Sequence, residues 1–581
     1  MGTAKLSDCF GVLDTCVTFE CGYTEEEFRA MRRRGYTGVI LGYLDANWDS
    51  DFSRLDNYAR TSVFPDMIPA DYIERNRAEL SRRLACARRA GLKVWMSVRG
   101  PLTGSDLHDL APGAEEKYRG LFGPGGDKWG GSGKRPMCLS FPEVRKRYRE
   151  LMLDAVSSFP GIAGFTFFGG DSYSLVCDET CQRCNHNPCW KNWSDWVAEL
   201  KEAAHSVRTD VEFTIMNWPW WDDMFDMAED APRDIGFVLT SSWGASYSGS
   251  ELWPAAVEPW ECQEFQEDTM RVPSNHEHQT VYELTQPWIN APVSEKFRRL
   301  AKKCCENSRR FYAWSDLTTS EAVLPYFTPF PATSLSRLRS YADAGADGVV
   351  DFWGIPARSI SGELPDANAT LLSVYLDAPE LPGDQPLERT AKLLYGDNGI
   401  DEAVRAWRLI DEGLSRWPIV GYSQRMHWTC RRLWETGAKL FYVFDLTSPY
   451  IAPGDLPDSS WPQLLREPAV WAELKRYLAR VLDCYDRALA CYERLCLRLS
   501  GAQHAAAAFH RDCATLTACY FRISYESCDY HIAGLAGRRL DSEYIRRAAI
   551  TRRLCRTLYT RLNVAPYEND MSEVLSRMSE A

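Results

Sequence analysis

Eight short apolar runs alternate with amphipathic, helix-like segments over about the first 375 residues of the chain. This alternation constrains the fold most, because parallel strands joined by crossover helices produce such a pattern. The strand-like runs begin at residues 9, 36, 92, 161, 211, 235, 310 and 348. Their number predicts an α/β fold, a (β/α)8 TIM barrel with long loop insertions, over residues 1–375. A doubly wound sheet would need a glycine-rich fingerprint after the first strand, and none follows Cys9–Asp14.

The pattern changes in residues 376–581, where helical periodicity replaces the alternation of strands and helices. From Trp471 onward, apolar side chains recur at three- and four-residue steps, as at Leu474, Leu478 and Val481. Two further helical stretches lie near residues 504–525 and 541–562. This spacing is typical of amphipathic helices. We therefore predict a mainly α-helical C-terminal region that packs on the barrel.

Charge and hydropathy exclude two classes of partner. The chain has 67 Lys and Arg against 80 Asp and Glu, a formal net charge of −13, and no long basic run. Nucleic acid and an anionic membrane surface are therefore not expected partners. No window approaches ~18 uninterrupted apolar residues, so the sequence predicts no transmembrane segment. The 21 Trp and 27 Tyr either fill large cores or stack on the flat faces of sugars, and composition leaves both roles open.

Polar and aromatic residues follow the predicted strands. In a (β/α)8 barrel, these positions line the active site at the carboxyl ends of the strands. The residues expected to contact a substrate are Asp14, Tyr43, Asp45, Arg99, Asn217, Trp218, Trp243, Asp316, Tyr326 and Trp353. No histidine directly follows one of these strands, so the order of residues does not suggest a Ser-His-Asp triad for acyl transfer.

Two carboxylates at this predicted rim, Asp171 after strand four and Glu321 after strand seven, are the expected catalytic pair. In glycoside hydrolysis one carboxylic acid protonates the leaving oxygen, while a second carboxylate attacks the sugar or activates water. We assign Asp171 as the proton donor and Glu321 as the nucleophile or base. Asp222, Asp316 and Asp351 are the alternatives if these assignments fail.

Three segments carry a resemblance to known enzymes. Arg135–Glu143, which precedes a predicted helix and strand four, resembles the barrel of bacterial α-glucuronidases and family 20 hexosaminidase-like enzymes. Ser320–Pro329 resembles a strand-seven segment of uncharacterised bacterial relatives, and Leu387–Pro418 resembles the helical segment after the barrel in the same enzymes. The resemblance implies a barrel glycosidase acting on a hexosaminide or a uronide. Family 20 enzymes carry an Asp-Glu pair after strand four, whereas Ser172 follows Asp171 here, which departs from the pattern for acetamide-assisted catalysis.

These observations predict an exo-acting glycoside hydrolase that removes a terminal sugar from glycans and needs no cofactor for catalysis. Long insertions after strands two, three, four and six would enclose a pocket for a terminal sugar. The alternative is a non-catalytic carbohydrate-binding barrel, which would keep the aromatic cleft but lose one carboxylate. An aldolase or isomerase would want a lysine at a strand end or a phosphate site, and neither is clear in the sequence. Arg99 either binds the carboxylate of a uronic or sialic acid or pairs with a neighbouring aspartate.

Four closely spaced cysteines follow strand four: Cys177, Cys181, Cys184 and Cys189. Four thiolates at such short intervals suit a structural zinc ion, and they would leave no open position for a substrate. The spacing differs from that of two paired zinc knuckles separated by a longer loop. Zinc ligation, disulfide bonds and free thiols all remain compatible with the sequence.

Overall fold

The structure is a computed structural model, and it describes most of the chain in separate stretches. The described residues are 6–12, 22–42, 52–102, 110–124, 135–168, 177, 180–217, 223–240, 271–272, 282–283, 293, 295–315, 317, 328–351, 365–415, 468–538 and 542–562.

Eight parallel strands close into a barrel. They are β1 Asp8–Val12, β2 Gly38–Leu41, β3 Lys93–Val98, β4 Ile162–Phe167, β5 Glu212–Met216, β6 Gly236–Thr240, β7 Phe311–Ser315 and β8 Gly348–Asp351. Each strand pairs with the next along the chain, and β1 pairs with β8 to complete the closure. A separate antiparallel pair joins Arg271–Val272 to Tyr282–Glu283. The predicted (β/α)8 barrel is confirmed, and all eight strands fall where the apolar runs placed them.

Helices follow the strands in the order expected of crossover connections. The described helices up to β8 are α1 Glu25–Arg33, α2 Ala70–Arg89, α3 Ala114–Lys117, α4 Pro142–Ser158, α5 Cys189–His205, α6 Met224–Asp230, α7 Glu295–Glu306 and α8 Pro331–Asp343. Short 3-10 turns lie at Leu55–Asn57 and Arg119–Leu121. The first helix begins at a capping box: Thr24 Oγ1 accepts from the Glu27 backbone N–H, and the Glu27 carboxylate accepts from that of Thr24. Gly91 follows the second helix at φ +76°, a conformation that glycine adopts without strain.

Aromatic side chains fill the barrel interior. The rings of Phe10 and Trp95 stack with centroids 4.2 Å apart, and Tyr312 meets Trp95 edge-on at 5.0 Å. The indole of Trp95 occupies space that Gly164 leaves on the next strand, since a Cβ at that position would lie 2.6 Å from Trp95 Nε1. The interior is therefore a packed core, and any binding site must lie at its open ends.

Six described helices follow β8: α9 Ala367–Asp377, α10 Gln385–Tyr395, α11 Ile400–Ser415, α12 Pro468–Arg498, α13 Gly501–Leu535 and α14 Ser542–Leu562. A 3-10 turn at Asp397–Gly399 links the second to the third. Buried polar groups join these helices: Tyr395 Oη lies 2.5 Å from His510 Nδ1, and Trp407 Nε1 donates to Tyr492 Oη at 3.0 Å. Burial lowers the pKa of His510 to about 4. The described part of the C-terminal region is thus helical, as the apolar spacing predicted.

The chain divides into two compact units. The first comprises Met1–Gly244, Glu295–Ser315 and Arg339–Glu363, and it holds all eight barrel strands. The second comprises Ala245–Ser294, Asp316–Leu338 and Leu364–Ala581. The sequence pattern predicted a single boundary at residue 375. Sequence patterns mark changes along the chain, whereas compact units are defined by contacts in space. No helix in the described part of the chain is both long and apolar enough to cross a membrane.

Candidate active site and thiol cluster

The carboxyl ends of β3 and β4 bring buried hydroxyl groups into the barrel. Trp95 and Phe168 belong to the interior core, and Ser97 and Thr166 lie two residues from them. Because side chains alternate along a strand, both hydroxyls face the same interior. Ser97 and Thr166 are paired in register, both are fully buried, and neither hydroxyl has a hydrogen-bond partner among the described residues. Neither residue was among the predicted site residues, although each is a polar side chain within an otherwise apolar strand.

Arg99 directly follows β3 and is half-buried. Its backbone N–H donates to Ser53 O at 2.8 Å, which anchors the main chain at this point. Its Nε atom is buried and has no hydrogen-bond partner in the described part of the chain. A buried guanidinium N–H without an acceptor is energetically costly, so this position suits an anionic or hydroxyl-bearing ligand.

Asn217 directly follows β5 and is buried. Its backbone N–H donates to Val238 O at 3.0 Å, which extends the β5–β6 pairing by one residue. Arg99 and Asn217 thus both lie at the carboxyl ends of strands, as the sequence predicted. The other predicted site residues lie outside the described residues: Asp14, Tyr43, Asp45, Asp171, Trp218, Trp243, Asp316, Glu321, Tyr326 and Trp353.

Asp351, an alternative catalytic candidate, faces away from the barrel interior. Its neighbour Val350 belongs to the interior core, so alternation turns Asp351 to the outer face of β8. There the carboxylate is fully buried and accepts a hydrogen bond from Tyr36 Oη at 2.6 Å. This position does not support Asp351 as a catalytic carboxylate, since its buried side chain bonds Tyr36 on the face of β8 opposite the interior core. Asp222, the other alternative from strand five, lies outside the described residues.

Four cysteine sulfurs converge beside the loops that follow β3 and β4. We call Cys138, Cys177, Cys181 and Cys184 the thiol cluster. Their Sγ atoms all lie within 4.8 Å of one another, and each residue is at most 5% exposed. The sequence analysis expected Cys189 as the fourth member. In the structure Cys138 takes that place, because Cys189 begins α5 and its thiol donates to Cys177 O at 3.2 Å.

Close packing makes the thiols of the cluster electrostatically unequal. Hydrogen bonds from Cys177 and Cys184 lower the pKa of Cys138. Donation to Cys138, together with burial, raises the pKa of Cys177. Several thiolates cannot share so small an apolar volume without a compensating positive charge.

Comparisons with solved structures place the fold among known barrels. Over its whole length, the chain resembles a GH138 enzyme targeting pectin rhamnogalacturonan II, at 8% identity and a TM-score of 0.52, covering 83% of that chain. A weaker likeness is to the β-amylase catalytic domain of Paenibacillus polymyxa, at 10% identity and a TM-score of 0.34. It covers 62% of this chain and 94% of the β-amylase chain. Another is to the GH20 modules of the pneumococcal exo-β-D-N-acetylglucosaminidase StrH, at 10% identity and a TM-score of 0.33. It covers 70% of this chain and 91% of the StrH chain.

The chain is thus similar in fold to the GH138 enzyme over its whole length. The resemblance to (β/α)8-barrel glycoside hydrolases is confirmed at the level of the fold, which is what identities this low establish. No protein-family model matches the chain, and no curated protein matches its sequence.

Proposed function

We propose that this protein is an exo-acting glycoside hydrolase that removes a terminal uronic acid residue from glycans. The observation that carries the proposal is Arg99, whose buried Nε atom has no acceptor among the described residues at the end of the barrel where active sites form. A uronide carboxylate would supply that acceptor, because guanidinium groups bind carboxylates through paired hydrogen bonds. A hexosaminide offers no such anion, so Arg99 favours the uronide of the two substrate classes.

The fold supports the same proposal from a second direction. The whole chain is similar in fold to a GH138 enzyme whose substrate is described as pectin rhamnogalacturonan II. Fold alone does not define a reaction, since unrelated chemistries share this barrel. We therefore assign the chemistry to residues of this chain: Asp171 as proton donor and Glu321 as nucleophile or base. Arg99 would orient the sugar through its carboxylate.

A substrate panel with an Arg99→Gln variant tests the uronide assignment. The panel contains aryl uronides, aryl N-acetylhexosaminides and neutral aryl hexosides, each assayed for release of the aryl group. A hydrogen-bonded charged pair contributes about 1.5–3 kcal/mol, so Arg99→Gln should lower kcat/KM on the uronide by about 10- to 150-fold. Any activity on neutral hexosides should change little. Equal losses on charged and neutral substrates would show that Arg99 acts on the fold and not on the carboxylate.

Two conservative variants test the catalytic pair. Asp171→Asn and Glu321→Gln should each lower turnover by at least about a hundredfold if they perform acid–base or nucleophilic chemistry. Asp397→Asn is the matched control, since Asp397 is a surface carboxylate of the C-terminal helices with its side chain 75% exposed. Wild-type protein that binds uronides yet cleaves no substrate of the panel would instead identify a carbohydrate-binding barrel, and the proposal would be wrong.

A further inference from the structure

The sulfur atoms of the thiol cluster have the spacing of a tetrahedral metal site. Zinc–sulfur bonds of about 2.3 Å place neighbouring sulfurs of a tetrahedron about 3.8 Å apart. Cys138 Sγ lies 3.9 Å from Cys181 Sγ and 3.4 Å from Cys184 Sγ, and all four sulfurs lie within 4.8 Å of one another. We propose that Cys138, Cys177, Cys181 and Cys184 bind one zinc ion as thiolates.

Disulfide bonds and plain apolar packing explain the cluster less well. A disulfide needs sulfurs about 2.05 Å apart, and all four cysteines are free in the structure. Buried thiols that act as small hydrophobes normally pack among hydrocarbon side chains. Here sulfur packs mainly on sulfur, since the buried cluster consists of the four cysteines with Phe141 against it. A shared cation accounts for this convergence, and all-sulfur tetrahedral coordination favours zinc over the hard cations calcium and magnesium.

The surroundings of the cluster suit a negatively charged metal centre. Four thiolates and one divalent zinc ion carry a net charge of −2. Ser140 Oγ lies 3.0 Å from Cys184 Sγ, at hydrogen-bonding distance from a coordinating sulfur. The Arg183 guanidinium lies over the Phe141 ring, 4.5 Å from its centroid, which brings a positive charge to the edge of the cluster. Such outer groups orient and stabilise metal ligands.

The cluster joins two connections that are separate in sequence. Cys138 belongs to the connection between β3 and α4, where its backbone N–H donates to Leu121 O at 2.8 Å. The other three cysteines belong to the connection between β4 and α5. Cys181 and Cys184 bracket a tight turn, in which the Cys184 N–H donates to Cys181 O at 3.0 Å. Asn192 of α5 in turn donates to Cys184 O at 3.2 Å.

A bound zinc ion would therefore hold both connections together at the carboxyl end of the barrel. With four thiolates the coordination is complete, so the ion has no open position for water or substrate. Its role is structural: it fixes the backbone that leads out of β3 and β4. This inference does not rest on the proposed glycosidase activity, because metal content is measured without substrate.

Metal analysis of matched variants tests the ligand set. The full chain is expressed in medium containing zinc and iron, purified without chelator and analysed by inductively coupled plasma mass spectrometry. We expect about one zinc per chain in the wild type. Cys138→Ser should lose most of this zinc, whereas Cys189→Ser, the matched control, should keep it. Wild-type protein without zinc, stoichiometric iron in its place, or equal zinc in both variants would overturn the proposal.

A second measurement uses only wild-type protein, so it stands even if Cys138→Ser fails to fold. X-ray absorption at the zinc edge should show four sulfur neighbours at about 2.3 Å. A nitrogen or oxygen ligand in that shell would refute the assigned set. Peptide mapping of alkylated thiols under denaturing conditions without reductant should find the four cysteines reduced once zinc is removed. A disulfide between any two of them would refute the metal site as well.

Discussion

The buried ion pair between Arg147 of α4 and Asp56 allows a quantitative test of how the long connection after β2 is held. Arg147 Nε and Nη2 donate to Asp56 Oδ1 at 2.9 and 2.8 Å, and the two side chains are 3% and 0% exposed. Arg147 Nη1 also donates to the carbonyls of Val63 and Phe64 at 2.6 and 2.9 Å. One arginine thus anchors residues 56–64 to the helix between β3 and β4.

Replacement of Arg147 by Met would leave the Asp56 carboxylate buried without its cation, a change that typically costs about 3–5 kcal/mol. The loss should appear as a lower free energy of local opening where α4 contacts residues 56–64.

Hydrogen exchange of the α4 amides, measured by mass spectrometry and corrected for intrinsic rates, reports the free energy of local opening. A loss of about 3–5 kcal/mol corresponds to about 150- to 4000-fold faster exchange. The control Arg60→Met breaks an exposed pair with Glu74, whose side chains are 58% and 53% exposed, and should cost less than about 1 kcal/mol. The double variant Asp56→Leu with Arg147→Met removes both charges and should recover most of the loss. If the α4 amides of Arg147→Met exchanged no faster than those of the double variant, the buried unpaired charge would not be the cause of the loss.

Three further predictions follow from single positions. Gly123→Ala would place a Cβ 2.3 Å from Cys177 Sγ, so the variant should lose zinc to a chelator faster than the wild type. Equal rates of zinc loss would contradict the packing of the cluster. Burial raises the pKa of Glu526 from 4.5 to about 7, so the stability of the folded state should fall as pH rises through this range. Glu526→Gln should flatten the pH dependence of the melting temperature, and parallel wild-type and variant curves would disprove the effect. Gly164→Ala would bring a Cβ within 2.9 Å of a backbone carbonyl on the next strand and should cost about 1–3 kcal/mol in urea unfolding. Gly120→Ala, with nothing within 4 Å, is its control and should cost far less.

Local sequence patterns determined the architecture of this protein. Alternation of apolar strands with amphipathic helices predicted the barrel, and three- and four-residue apolar spacing predicted the later helices. These signals can be recognised in the sequence because each involves only a few neighbouring residues. The spacing of apolar side chains and the capping of helix ends both depend on residues close together in the chain. The capping box at Thr24 and Glu27 and the helix stop at Gly91 are examples that the structure reproduces.

The tertiary structure decided which side chains meet. Asp351 ends β8, a strand that is apolar on both faces as buried parallel strands are, so the sequence does not reveal whether its side chain points into the barrel or away from it. Spacing likewise favoured Cys189 as the fourth thiol, because it is near the other three in sequence. At the start of α5 the Cys189 thiol instead donates to Cys177 O. Cys138, from the connection after β3, is the fourth member of the cluster. Strand phase and loop-to-loop contact depend on closure of the whole barrel, and no local pattern encodes them.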